Sequence, residues 1–216
     1  MDDAKKTDDH APLWEHSEAM LKKAHDFTLD SIKKLSVKDA DLAKIGETIK
    51  STVRLMKKNM EVTGQCLKGI EESSDKASVT YICPKCAETR DQSGKCPKCN
   101  VVLENQIDYI LKTADKLLKE IKAENANALI VTCEQMLKKA LAKIKICNGM
   151  LAEDKPSTAE IAQSAKDSIS LVQKSAEVSE KYLEIKNPKQ KPADKTPETE
   201  KPKQNPAGEK SGSEKK

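Results

Sequence analysis

Two identical Cys-Pro-Lys-Cys units constrain the fold of this chain more than any other feature of the sequence. Cys83 and Cys86 belong to the first unit, Cys96 and Cys99 to the second, and residues 87–95 separate the two. A tight turn in each unit can aim both sulfurs at one point, and two such turns on a β-hairpin supply four thiolates in a tetrahedron. The spacing therefore predicts a metal ribbon over 79–104, with zinc held by all four cysteines.

Two disulfides are the alternative to a metal ion at these positions. The first ten residues lack the apolar region of a secretory signal. Disulfides are rare in reducing compartments, where closely spaced Cys-x-x-Cys pairs more often bind metal. The odd number of cysteines, seven in all, also fits such a compartment, so we expect a cytoplasmic protein.

A longer pattern surrounds the cysteines. It consists of Tyr81-Ile82-Cys83-Pro84, the charged residues Glu88, Arg90 and Asp91, the run Gly94-Lys95-Cys96-Pro97-Lys98-Cys99, and Leu103. This pattern resembles the short heavy-metal-binding domain of copper and silver efflux proteins and heavy-metal ATPases, which reads Tyr-x-Cys-Pro-Met-His-Pro and then Cys-Pro-x-Cys-Gly-Met. The resemblance covers residues 81–103 and implies metal binding, with heavy-metal handling as an alternative function.

The chain departs from that family where copper selectivity would arise. Lys85 and Cys86 stand where the family has Met and His, and Asn100 and Val101 stand where it has Gly and Met. Thioether ligands that favour copper(I) are therefore missing. The remaining set of four thiolates is similar to a generic zinc ribbon, with copper as the alternative cargo.

Iron is a further alternative, because four thiolates bind iron as well as zinc. A rubredoxin-like redox site would carry glycines after the paired cysteines, where this chain has Ala87 and Asn100. A di-iron bundle of the rubrerythrin type needs Glu-x-x-His pairs, and none precedes His10, His16 or His25. No phosphate loop or catalytic triad can be assembled, so we expect the protein not to be an enzyme.

The rest of the chain reads as helical. Aromatic residues make up only 2% of the sequence and charged residues 34%, a composition typical of long helices with aliphatic seams. Apolar residues recur at alternating steps of three and four in five segments. These segments span approximately residues 12–35, 42–72, 107–121, 130–151 and 157–185. We predict a mainly α fold, a bundle of about five helices with a small zinc-ribbon β-hairpin inserted.

The predicted organisation follows the chain in order. It comprises a flexible N-terminus over 1–10, a helical hairpin over 11–78, the ribbon over 79–104, three helices completing the bundle over 105–186, and a disordered tail over 187–216. Five prolines and many lysines leave the tail with almost nothing apolar to bury. The formal net charge of +4 is small and does not indicate a nucleic-acid-binding protein.

Three cysteines lie outside the ribbon, on or beside the helical seams. We expect Cys66, Cys133 and Cys147 to be buried and to act as small apolar side chains. The alternative is a second site for a soft metal, formed with helix methionines. The methionines concerned are Met56, Met60 and Met136.

Partners follow from the same features. The ribbon cations Lys85, Arg90, Lys95 and Lys98 have only Tyr81 nearby for stacking on bases, so nucleic acid is not the expected partner; they more simply balance the negative charge of a zinc tetrathiolate. No apolar run reaches the roughly 20 residues of a membrane span. We expect a non-catalytic scaffold, adaptor or regulator that contacts a protein partner, or itself, through helical faces.

Overall fold

The computed structural model describes residues 11–70 and 77–186, and this part of the chain contains five α-helices and three short β-strands. In order they are α1 (Ala11–Leu35), α2 (Leu42–Lys68), β1 (Tyr81–Ile82), β2 (Thr89–Arg90), β3 (Glu104–Asn105), α3 (Gln106–Glu120), α4 (Asn127–Leu151) and α5 (Thr158–Lys186), with a 3-10 turn at Ala123–Asn125. The mainly α fold is confirmed. The predicted flexible N-terminus and disordered tail lie outside the described residues.

The four long helices pack as a closed ring. Helix α1 contacts α2 and α4, and α5 contacts the same two helices from the opposite side. The start of α1 meets the end of α2, where the hydroxyl oxygens of Ser17 and Thr63 lie 2.8 Å apart. It also meets the end of α4, where Asn148 donates a hydrogen bond to Glu18. Helix α1 is therefore antiparallel to both neighbours, and α5 reverses direction again after the turn at 152–157.

Aliphatic side chains fill this ring, as the helical spacing predicts. Leu21, Met56, Leu137 and Leu171 are completely buried, and the only tryptophan, Trp14, is 1% exposed. Removing a side chain of this size from water contributes about 1.5–3 kcal/mol. Because many such residues line the four helices, the ring has an extensive apolar core of its own.

Helix α5 buries serines where the other helices bury larger side chains. Ser164, Ser168, Ser175 and Ser179 are all buried. Ser168 donates to the backbone oxygen of Ala140 in α4 at 3.2 Å, and Ser175 donates to Leu171 one turn earlier at 2.8 Å. Ser168 thus bonds to the neighbouring helix and Ser175 within its own, and the small side chains allow α5 to pack closely on α4.

The ribbon lies between α2 and α3 in the sequence. Its sheet has the order β2-β1-β3, with both pairs antiparallel. Tyr81 of β1 pairs with Arg90 on one side and Asn105 on the other. The predicted hairpin is thus extended by a third strand, β3, which leads directly into α3. The short helix α3 lies outside the four-helix ring, on α4 and α5.

Candidate metal centre

All four predicted ligand sulfurs converge at the tip of the ribbon. The Sγ atoms of Cys83 and Cys99 are 3.2 Å apart, those of Cys86 and Cys96 3.5 Å, and those of Cys86 and Cys99 3.7 Å. All four sulfurs lie within 4.8 Å of one another. A tetrahedron with Zn–S bonds of about 2.3 Å places its sulfurs about 3.8 Å apart. The donor set and its spacing therefore fit one metal ion.

The disulfide alternative does not fit this arrangement. A disulfide requires sulfurs about 2.05 Å apart, and all seven cysteines are free thiols in the structure. Moreover, the two shortest contacts join the first Cys-Pro-Lys-Cys unit to the second. Both units therefore contribute to a single centre, as the spacing predicts.

Each unit folds into the same turn. The Ala87 amide donates to the Cys83 carbonyl at 2.9 Å, and the Asn100 amide donates to the Cys96 carbonyl at 2.8 Å. In return, the Cys83 and Cys96 amides each donate at 2.8 Å to a carbonyl beyond the turn. These paired bonds hold the two cysteines of each unit on one side of the backbone.

The residue after each unit has a left-handed backbone. Ala87 has φ 57° and Asn100 has φ 55°. Glycine adopts this conformation without steric cost and asparagine tolerates it. In alanine the Cβ atom crowds the following carbonyl oxygen, so the conformation is strained. The absence of glycine after the paired cysteines counted against a rubredoxin-like turn in the sequence. The structure forms these left-handed turns without glycine, so that objection loses its force.

Backbone amides prepare the first sulfur of each unit for metal binding. Burial raises the pKa of the Cys83 thiol, but hydrogen bonds from the Cys86 amide, the Cys99 thiol and the Lys85 amide outweigh it and lower that pKa to about 6. Amides in the second unit likewise lower the pKa of Cys96 against the effect of burial. The thiolate is the form that binds metal. The turns thus stabilise the thiolate forms of Cys83 and Cys96, which are the forms that bind a cation.

The second sulfurs carry the protons in this arrangement. Cys99 shares a proton with Cys83, and this contact together with burial raises the pKa of Cys99 to about 12. The pKa of Cys86 is also raised: the Glu88 amide lowers it, but the contact with Cys83, burial and the contact with Cys96 outweigh that effect. Metal binding releases such protons, because each ligand must be a thiolate.

One acidic residue modifies the charge around the sulfurs. Glu88 accepts a hydrogen bond from Lys98 Nζ at 2.6 Å and lies 3.7 Å from Arg90 Nη2. The pKa of Lys98 is raised, mainly by Glu88 and to a smaller extent by Cys86 and Cys96. The sequence reading assigned these cations to the metal centre alone. In the structure, Lys98 and Arg90 contact the carboxylate of Glu88, which lies between the two Cys-Pro-Lys-Cys units.

The sulfurs differ in their access to solvent. Cys83 and Cys96 are buried, Cys99 is half-buried and Cys86 is exposed. Leu103 is the only other buried residue in the ribbon's small apolar cluster, which Tyr81 and Val101 border. The ribbon therefore has very little apolar core apart from its own ligands.

The three remaining cysteines are buried in the ring, as predicted. Burial raises the pKa of Cys66 and Cys133 to about 11 and that of Cys147 to about 12. Cys133 accepts a hydrogen bond from Ser179 at 3.2 Å, and Cys147 donates to the Ile161 carbonyl at 3.5 Å. These neutral thiols behave as small core residues.

Within residues 11–70 and 77–186, the ribbon cysteines are the only group of three or more His, Cys, Asp or Glu residues arranged to hold a metal ion. His25 instead pairs with Glu134, with 2.9 Å between Nε2 and Oε1. None of the described helices is long and apolar enough to cross a membrane. The candidate site therefore contains the four predicted residues.

Comparison with family models, with curated proteins and with solved structures gives no match to this chain. The functional argument therefore rests on the geometry of the four-cysteine centre and on its place in the fold.

Proposed function

We propose that this chain is a non-catalytic zinc protein, in which the ribbon holds one structural zinc ion and the helical ring serves as a scaffold, adaptor or regulator. The observation that carries the proposal is the convergence of four sulfurs within 4.8 Å. Structural zinc sites are closed by four protein ligands, whereas catalytic sites keep one position for water or substrate. Four cysteines fill every position of a tetrahedron.

The near absence of other buried residues in the ribbon supports a structural role for the metal. With Leu103 alone beside the cysteines in that cluster, hydrophobic burial is too small to define the loop. Metal binding in small modules of this kind is coupled to folding. Zinc would thus fix the loop that connects the two helical halves, in keeping with a protein whose helical faces contact a partner.

Cytoplasmic location is part of this proposal. The ribbon thiols must stay reduced to bind zinc, and Cys66, Cys133 and Cys147 are free thiols as well. A reducing compartment keeps both sets in that state.

A second candidate function is heavy-metal handling, as the resemblance over 81–103 implies. The exposure of Cys86 favours it, because an incoming ligand could displace this sulfur first and start metal transfer. Against it stand Lys85 and Cys86 in place of the Met and His that would select copper(I). Iron bound for redox chemistry is a third possibility, which the left-handed turns at Ala87 and Asn100 permit.

Metal analysis of protein purified from its native host tests these candidates. We expect one zinc per chain and no visible absorption. Copper, or a mixture of soft metals, would favour handling, and a coloured iron–thiolate species would favour redox chemistry. The matched variants are Cys96→Ser and Cys147→Ser, since both remove a buried thiol but only the first removes a ligand. Zinc should be lost in Cys96→Ser and kept in Cys147→Ser; full zinc in both would refute the assignment.

A further inference from the structure

Helix α3 is the least anchored helix of the described chain. The ring of α1, α2, α5 and α4 closes without it. Among its residues only Ile107 and Ala114 are buried, while apolar residues such as Ile110 and Leu117 are half-buried against the ring. With 15 residues, α3 is at the upper end of the lengths of about 12–15 residues below which isolated helices are marginal in water. Its position must therefore depend on its surroundings.

The contact between α3 and the ring is incomplete. An open groove remains between α3 and α4, lined by Tyr109, Ile110 and Met136 among others. On the other side, a part-buried ion pair joins α3 to α5, with 2.9 Å between Lys174 Nζ and Asp115. Such pairs are worth little where solvent reaches them. Packing on α4 and α5 is thus partial, because most of the apolar residues of α3 stay half-buried.

The ribbon is joined directly to the N-terminus of α3. No residue separates β3 from α3, and the last residue of β3, Asn105, is the N-cap. Its Oδ1 accepts hydrogen bonds from the amides of Ile107 at 2.8 Å and Asp108 at 3.2 Å. The Gln106 amide donates to the Thr80 carbonyl at 2.9 Å. The first turn of α3 is therefore continuous with the sheet.

The same strand is tied to the cysteines. Leu103, next to β3, packs on Cys83 and Cys96, and its amide donates to Gly94 at 2.8 Å. Strand β3 also pairs with β1, which leads into the first Cys-Pro-Lys-Cys unit. A continuous set of contacts therefore runs from the sulfurs through Leu103 and β3 to the cap of α3.

We propose that the four-cysteine centre acts as a metal-dependent latch for α3. With metal bound, the ribbon fixes the cap and holds α3 on α4 and α5. Without metal, β3 loses its support, α3 leaves the ring, and the apolar surface that it covers becomes exposed. This inference rests on metal binding by the ribbon and adds a conformational consequence: occupancy of the centre controls access to the α4–α5 surface.

Hydrogen–deuterium exchange of the full chain, zinc-loaded and after zinc removal by a chelator, tests the latch. The exchange rate of amides in 106–120 should rise at least about tenfold on zinc removal, because α3 would open locally while the ring stays closed. Exchange in α1 and α2 should stay unchanged. Faster exchange in 77–105 with α3 still protected would overturn the latch and leave the zinc assignment intact. Protein that binds no zinc would overturn both.

A pair of variants separates the latch from general loosening of α3. Asn105→Ala removes the cap but none of the sulfurs, so it should keep one zinc per chain while exchange in 106–120 rises. Thr113→Ala changes an exposed residue of the same helix, whose hydroxyl bonds only within α3 in the described contacts, and should leave exchange as in the wild type. Wild-type protection of α3 in Asn105→Ala would contradict the proposal.

Discussion

The helical ring and the ribbon are stabilised by opposite means. The ring buries residues from four long helices, including Trp14, Leu21 and Leu137, in a continuous apolar core. The ribbon buries Leu103 and two of its own cysteines. One region therefore specifies its fold through many weak apolar contacts spread along the chain. The other concentrates that role in four sulfurs and, in our proposal, one metal ion.

The largest expected difference concerns metal removal. Structural zinc contributes on the order of 10 kcal/mol to the folding of small modules, and the ribbon has little else to replace it. We expect a chelator to unfold 77–105 while α1, α2, α4 and α5 stay folded. Far-ultraviolet circular dichroism should then fall by no more than the share of α3. Collapse of the whole helical signal would show that the ring also depends on the metal.

The converse change tests the ring. Leu137 is completely buried in α4, and replacing such a leucine by alanine costs about 2–5 kcal/mol. Leu137→Ala should lower the denaturant midpoint of the helical transition, while zinc content stays at one per chain. An exposed position on the same helix, Val131, provides the control in Val131→Ala. Loss of zinc in Leu137→Ala would mean that the two regions do not fold independently.

The helices and the metal ribbon could be predicted because each depends on a pattern within a short stretch of sequence. The helical seams repeat over 25 residues or more in α1, α2, α4 and α5, and the cysteine spacing sets the ligand geometry within a short loop. Both signals are short in range. Prediction of the helices and of the convergence of Cys83, Cys86, Cys96 and Cys99 was therefore feasible without knowing how the chain packs.

Long-range arrangement was not readable in the same way. The seam of α3 has the same spacing as that of the long helices, yet α3 lies outside the ring, because four longer helices already enclose the core. Ser164 and Ser168 are buried although polar, since α4 approaches α5 closely. The third ribbon strand consists of Glu104 and Asn105. These two polar residues show no alternation of apolar and polar side chains, so the sequence did not predict a strand there.

The smallest expected effect lies in the turns of the ribbon. Ala87 holds a left-handed backbone at φ 57°, which costs a residue with a Cβ about 1–2 kcal/mol. Glycine removes that cost but loses more entropy on folding, about 0.5–1 kcal/mol. We therefore expect Ala87→Gly to strengthen zinc binding by roughly 0.5–1 kcal/mol, which is a few-fold in affinity. Competition with a chromogenic chelator would measure this change.

Asn100 provides the matched control for this turn, because it occupies the equivalent position at φ 55°. Asparagine tolerates the left-handed region through its short polar side chain, so Asn100→Gly should relieve less strain and change zinc affinity less than Ala87→Gly. Since both variants act only in the ribbon, neither should shift the unfolding of the ring. An equal or larger gain in Asn100→Gly would show that Cβ strain at Ala87 does not limit the stability of the metal centre.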